Sequence, residues 1–215
     1  MTRMIWSLLV LLLLGVVGHG KAASGDLALV TAVTGSVSRL VAGNAPRALE
    51  PFARLRQGDV LRLDGKAGVR LIFFDSRRQE SWQGEGHIEI GGAQGKGSGL
   101  AEPQVSVLPE QMARQIAKTP SPDNQQRAGA GRMRSIEMSD NSLAKLDSEY
   151  SRLRKDAAAD DINPEIFLLA GLFEMREFDR VEQTLRDLGD SRPGNMEVAV
   201  LKSLYKKAIA QKQQR

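Results

Sequence analysis

Gly68-Val69-Arg70-Leu71-Ile72-Phe73-Phe74 decides the reading of the N-terminal half. Val69, Leu71 and Phe73 share one face of an extended chain, so the segment predicts a strand with an apolar inner face. Working outward, Leu27-Leu29-Thr31-Val33 alternates with Ala28-Val30-Ala32, which predicts a strand buried on both faces. It continues beyond Gly35 to Leu40, with Gly35 marking a bulge or bend. Gly43-Asn44 and Pro46 predict a turn, and Gly58-Asp59 precedes a strand with Leu61 and Leu63 inward. Asp64-Gly65 predicts a hairpin turn. Gln79–Gln83 and His87–Ile90 are shorter strands, the latter with Ile88 and Ile90 inward. Val105 and Val107 suggest a last strand, and Glu110–Lys118 a short helix after Pro109.

Gly91–Gly99 is glycine-rich. A phosphate-binding loop needs Gly-Lys-Ser/Thr opening a helix; Gly95-Lys96-Gly97 lacks that ending, so a flexible loop is expected. Thr119–Gly131 has no large apolar residue and is expected to be an exposed linker.

The composition then turns helical. Leu143, Leu146, Tyr150 and Leu153 form one stripe, and Phe178, Val181, Leu185 and Leu188 another, with Gly189 as its stop. Asn163-Pro164 predicts a capped helix start. Ile166–Phe173 is apolar nearly all round, which predicts a buried central helix. Asn195 predicts the cap of a last helix with a Met196, Val200, Leu204 stripe. Short connections imply antiparallel neighbours.

The N-terminus predicts export. Arg3 is followed by the uncharged, Leu-rich Ile5–Val17 and then by small-residue sites at Gly18-His19-Gly20 and Ala22-Ala23-Ser24, the order of a secretory signal. The apolar run is shorter than the roughly 20 residues of a spanning helix, so cleavage is favoured over a retained anchor. Loss of residues 1–24 removes Arg3 and Lys21 and lowers the formal charge from +4 to +2. A mildly basic, exported chain argues against nucleic acid as partner and leaves a weak attraction to anionic lipid or cell-wall polymer. The absence of cysteine excludes thiolate metal sites and cysteine nucleophiles.

The expected architecture is α+β in two modules. Residues 1–24 form the signal peptide, 25–109 an all-β sandwich or roll, 110–141 a short helix and flexible linker, and 142–215 an antiparallel helical bundle or helical hairpins.

Two stretches resemble known families. Gly35-Ser36-Val37, Leu55-Arg56-Gln57-Gly58-Asp59-Val60-Leu61 and Ala67–Asp75 resemble the FecR-type periplasmic domain over about Ala28–Ile90. That family has an Asp-Gly turn where this chain has Asp75-Ser76. Leu168, Leu172, Phe178, Leu185 and Pro193 are similar in spacing to a degenerate tetratricopeptide helix pair, and a plain three- or four-helix bundle fits them equally. The first resemblance implies an envelope sensor or scaffold. Regulatory members carry a cytoplasmic segment that controls a sigma factor; only Met1–Met4 precede the apolar run here, so that role is not expected.

The chemistry expected of these residues is modest. Glu85, His87 and Glu89 share a strand face, but with Ile88 and Ile90 inward that face is expected to be solvated. Asp156, Asp160 and Asp161 lack the spacing of a calcium loop. Trp82 is expected in the core or at a rim rather than as a sugar platform. The expectation is therefore a non-enzyme without metal or cofactor, periplasmic or exported, or anchored to the inner membrane if the apolar segment stays. It would bind an envelope protein or cell-wall polymer, with Trp82, Arg77, Arg78 and His87 as partner contacts. The alternatives are a hydrolase of envelope polymers and a membrane-tethered regulator of a partner protein.

Overall fold

The computed structural model describes residues 25–40, 45–122 and 140–214, and of residues 140 and 141 only the backbone. The signal segment, the Gly43-Asn44 turn and most of the linker lie outside the described residues. Eight strands form one antiparallel sheet: β1 (Ala28–Leu40), β2 (Arg47–Ala48), β3 (Arg54–Leu55), β4 (Val60–Phe73), β5 (Arg78–Gln83), β6 (Gly86–Ile90), β7 (Gly95–Ser98) and β8 (Gln104–Val107). Five helices follow: α1 (Glu110–Ile116), α2 (Asp140–Asp156), α3 (Asn163–Glu174), α4 (Phe178–Ser191) and α5 (Met196–Gln213). None of them is long and apolar enough to cross a membrane.

Long β1 and β4 organise the sheet. They pair from Ala28↔Phe73 to Leu40↔Val60, with a register break at Thr34/Ser36 around Gly35. The expected hairpin at Asp64-Gly65 does not form: β4 runs through it. Residue parity explains why. Leu61, Leu63, Ala67, Val69, Leu71 and Phe73 all belong to one buried cluster, and an uninterrupted strand keeps them on one face. A two-residue hairpin would pair Leu63 with Lys66 and Leu61 with Gly68, turning both leucines to the opposite face. The chain instead bends at Gly35 and Gly65, whose φ values of 69° and 61° suit glycine.

The bent β4 carries a different neighbour on each half. Val60–Leu63 pairs with β6, which pairs with β7; Gly68–Ile72 pairs with β5, which pairs with β8. The first buried cluster draws on both halves, joining Leu61, Leu63, Ile88 and Ile90 to Val69, Leu71, Phe73 and Trp82.

Gly91–Gly99, expected to be a flexible loop, forms the turn and second strand of a hairpin: β7 pairs with β6, and Gly91 N–H donates to Gln94 O at 3.0 Å. Its glycines are structural. A Cβ on Gly97 would stand 2.5 Å from Cζ3 of Trp82, and one on Gly95 would meet the same ring at 3.3 Å.

The opposite face of the sheet meets the helices. Leu29, Phe52 and Ile72 share the second buried cluster with side chains from all five helices. α3 is central, with Asn163 through Leu172 buried against α1, α2 and α4, while α5 packs on α4 and touches β1. Arg54 ties the sheet to the end of α1: one of its terminal nitrogens donates to Ala117 O at 2.7 Å and Thr119 O at 2.9 Å, placing a cation where a helix presents free carbonyls.

Several helical expectations shift. Thr119 and Ser121, expected in an exposed linker, are buried because the chain leaving α1 runs along this latch. Asn163 is not the cap: Asp161 accepts its N–H at 2.9 Å, and its side chain donates to Gln79 at 2.5 Å. Gly189 lies inside α4 rather than ending it. Asn195 does cap α5, accepting Val198 N–H at 2.8 Å. The buried stripe of α5 is Val198, Leu201, Leu204, Tyr205 and Ile209, whereas Met196 is exposed.

Candidate functional site

The β5–β8 side of the sheet gathers polar groups around a buried charge. Glu80 of β5 is fully buried. Its Oε1 accepts Arg78 Nε–H at 3.1 Å, and its Oε2 accepts Trp82 Nε1–H at 3.1 Å and Gly95 N–H at 3.0 Å. The alternation of β5 puts residues 78, 80 and 82 on one face, and β7 supplies the glycine from the other half of the bent sheet. A buried carboxylate is tolerated when hydrogen bonds and a nearby cation compensate its lost hydration, and here three donors do so, one of them the Arg78 guanidinium. The arrangement braces the two halves of the sheet.

The four expected contact residues fall into different settings. Trp82 is 3% exposed, covered by Gly95 and Gly97, so its ring is a core group and not a surface contact. Arg78 is half-buried on Glu80, which leaves only part of its guanidinium to solvent. Arg77 is exposed in the β4–β5 turn at φ 58°, and its carbonyl accepts Leu108 N–H at 2.9 Å. His87 is exposed on β6, opposite Arg62 and Ser98, on the other half of the sheet. β5 and its turn thus bring Arg77, Arg78 and Trp82 together, and His87 stands apart. Among the described residues no group of three His, Cys, Asp or Glu could hold a metal ion.

β8 lies beside this cluster. Gln104 through Val107 are all exposed, Val105 at 44% and Val107 at 62%. β8 pairs only with β5, so its outer edge is free of strand partners among the described residues. The sequence signal for this edge was present in Val105 and Val107, but nothing local tells an edge strand from an inner one. Glu80 was missed because a charge on a short polar strand reads as solvated.

A larger concavity, about 580 Å³, opens between β1, the Leu49–Pro51 segment and α5. Val33, Leu49 and Pro51 line one side and Met196, Val200 and Leu204 the other, with Glu50 and Lys207 as its charged groups. The buried carboxylates of Glu80 and Glu165 do not line it. Glu165 is instead bound by Arg154 Nη1 at 3.1 Å and by the Tyr150 hydroxyl at 3.3 Å. Burial, and then the Glu165 charge, push the Tyr150 hydroxyl above its ordinary pKa.

The chain matches no known family model, no curated protein and no solved structure.

Proposed function

We propose that this chain is an exported, non-catalytic binding or scaffold protein of the bacterial cell envelope, whose β8 edge receives an extended segment of a partner protein. The observation that carries the reading is the open edge itself: four consecutive exposed residues, two of them valines, with no strand partner on the outer side among the described residues. Free edges are ordinarily blunted by lysine, proline or a bulge. Gln104-Val105-Ser106-Val107 has none of these; Pro103 and Pro109 lie just outside it. Strand addition supplies affinity through backbone hydrogen bonds and selects side chains at alternate positions. Arg77 and the exposed part of Arg78, beside Val107, would favour an acidic residue in the added segment.

The β region is taken as a FecR-type domain on its Gly35-Ser36-Val37 and Leu55–Leu61 motifs. The α3–α4 pair is taken as a tetratricopeptide-like hairpin, with a plain antiparallel bundle as the other description. Residues 1–24 carry the export part, either as a cleaved signal or as an inner-membrane tether.

The test places a photo-crosslinking residue at position 107 of the full chain in envelope fractions. An adduct to an extended segment of one envelope protein, lost on Ser106→Pro or Val105→Lys, supports the reading. An adduct to β8 of a second copy, or one indifferent to both substitutions, refutes it. Fusion to a phosphatase that is active only outside the cytoplasm tests export separately.

A further inference from the structure

Arg70 stands in the middle of β4, on the face that β4 turns toward the helices. Its cross-strand neighbours are Ala32 on β1 and Ser81 on β5, and the next row is Thr34, Gly68 and Gln83. On its other side, the row of Leu29, Ile72 and Gln79 is closed by the helices, with Asn163 bonded to Gln79. The helical layer therefore stops at Arg70. Beyond it, short side chains leave a basin of about 130 Å³, lined by Lys66 and Arg70 and by no carboxylate.

The guanidinium in this basin is unusual. Arg70 Nε is buried and has no acceptor. None of the other N–H groups of Arg70 is hydrogen-bonded or ion-paired to a described residue, and neither is the Lys66 ammonium. Arginine carries five donors in a fixed fork, and buried polar groups are ordinarily satisfied. By contrast Arg39, Arg54, Arg56, Arg78 and Arg154 all have acids within reach. Among the described residues the basin thus holds two cations with no acid between them, beside the Thr34 and Ser81 hydroxyls.

We propose that this basin binds a single oxyanion group of phosphate or carboxylate size, held by the Arg70 fork and by the Lys66 charge. Its volume of about 130 Å³ suits one such group, and a larger ligand would leave its remainder in solvent. The site lies on the sheet face, away from the β8 edge, and does not rest on the strand-addition reading.

The experiment follows the Arg70 Nε–H resonance of the full chain, a proton whose burial slows its exchange, while inorganic phosphate, acetate or chloride is added at matched ionic strength. A saturable shift with phosphate or acetate, with chloride silent, is expected, and the stronger of the two names the preferred oxyanion. Lys66→Gln, on the exposed rim, should weaken the midpoint about 2- to 5-fold, the range of a surface charge pair, and Arg70→Gln should abolish saturation of neighbouring backbone amides. An equal response to chloride, a response that never saturates, or a midpoint unmoved by Lys66→Gln overturns the site. Because Lys66 is exposed, that variant keeps the test decisive even if Arg70→Gln disturbs the fold.

Discussion

Leu29 and Ile72 stand directly opposite each other on β1 and β4, and both are fully buried although they point away from the sheet's own core. Their neighbours Val30 and Leu71 fill the cluster inside the bent sheet, while Leu29 and Ile72 enter the cluster of the helices. This pair is the seam between the two regions. Leu29→Ala or Ile72→Ala should each cost about 2–5 kcal/mol, and the double variant should deviate from additivity because the two side chains are in register. Urea unfolding followed by Trp82 fluorescence in a Trp6→Phe background should coincide with far-ultraviolet dichroism of the helices. Two separated transitions would show that the seam does not couple the regions.

Gly97 is a second point of tight fit. Its hypothetical Cβ would meet the Trp82 ring at 2.5 Å, so Gly97→Ala should destabilise by about 1–3 kcal/mol through overpacking. The penalty should shrink in a Trp82→Phe background, where the six-membered part of the indole is gone. A double-mutant cycle with no coupling would contradict the contact.

Glu80 fills its carboxylate with Arg78, Trp82 and Gly95 donors. Glu80→Gln should cost about 1–3 kcal/mol, since the amide sets a donor against donors. Arg78 is partly solvated, which keeps the loss below that of a fully buried ion pair. Urea midpoints unchanged by Glu80→Gln would count against the brace.

Tyr205 predicts an alkaline effect. It is fully buried in α5, edge-on to Phe173 with ring centroids 5.5 Å apart. Burial drives its hydroxyl well above the ordinary tyrosine pKa, with the Thr119 hydroxyl acting weakly the other way; neither hydroxyl makes a hydrogen bond of normal geometry. A raised folded-state pKa means that the unfolded chain loses the proton first. Stability is therefore intact below about pH 10 and falls above it by up to about 1.4 kcal/mol per pH unit. Tyr205→Phe should be close to neutral at pH 7, because it removes an unsatisfied group, and should flatten the decline between pH 10 and 11. Parallel urea midpoints for the two proteins across that range would sink the assignment.

Much of the β architecture was legible from alternation. The odd-numbered apolar series from Leu61 to Phe73 already argued against a hairpin at Asp64-Gly65, but the local turn signal outweighed it. The Gly91–Gly99 hairpin was hidden because the residue that demands its glycines, Trp82, is remote in sequence. On α5 the expected Met196, Val200, Leu204 stripe holds only in part: Leu204 is in the core, Met196 is exposed beside the cleft, and the core continues through the neighbouring Val198, Leu201 and Tyr205. The candidate sites were less legible still. Burial of Trp82 and Glu80 depends on β7 folding over β5. Arg70 alternates with apolar residues, as any solvated side chain on a half-buried strand does, and only the point where the helices stop distinguishes it.

The continuous β4 also sets an order of events. Without a hairpin inside β4, the first long pairing available to β1 is Leu40↔Val60, and the last is Ala28↔Phe73. A chain emerging from its N-terminus thus exposes all of β1 before any of its principal partner exists. Closing that loop carries its entropic cost before the contacts repay it, so formation of the sheet should be slow relative to the helices. Throughout that interval the doubly apolar Leu27–Val33 segment is an aggregation hazard.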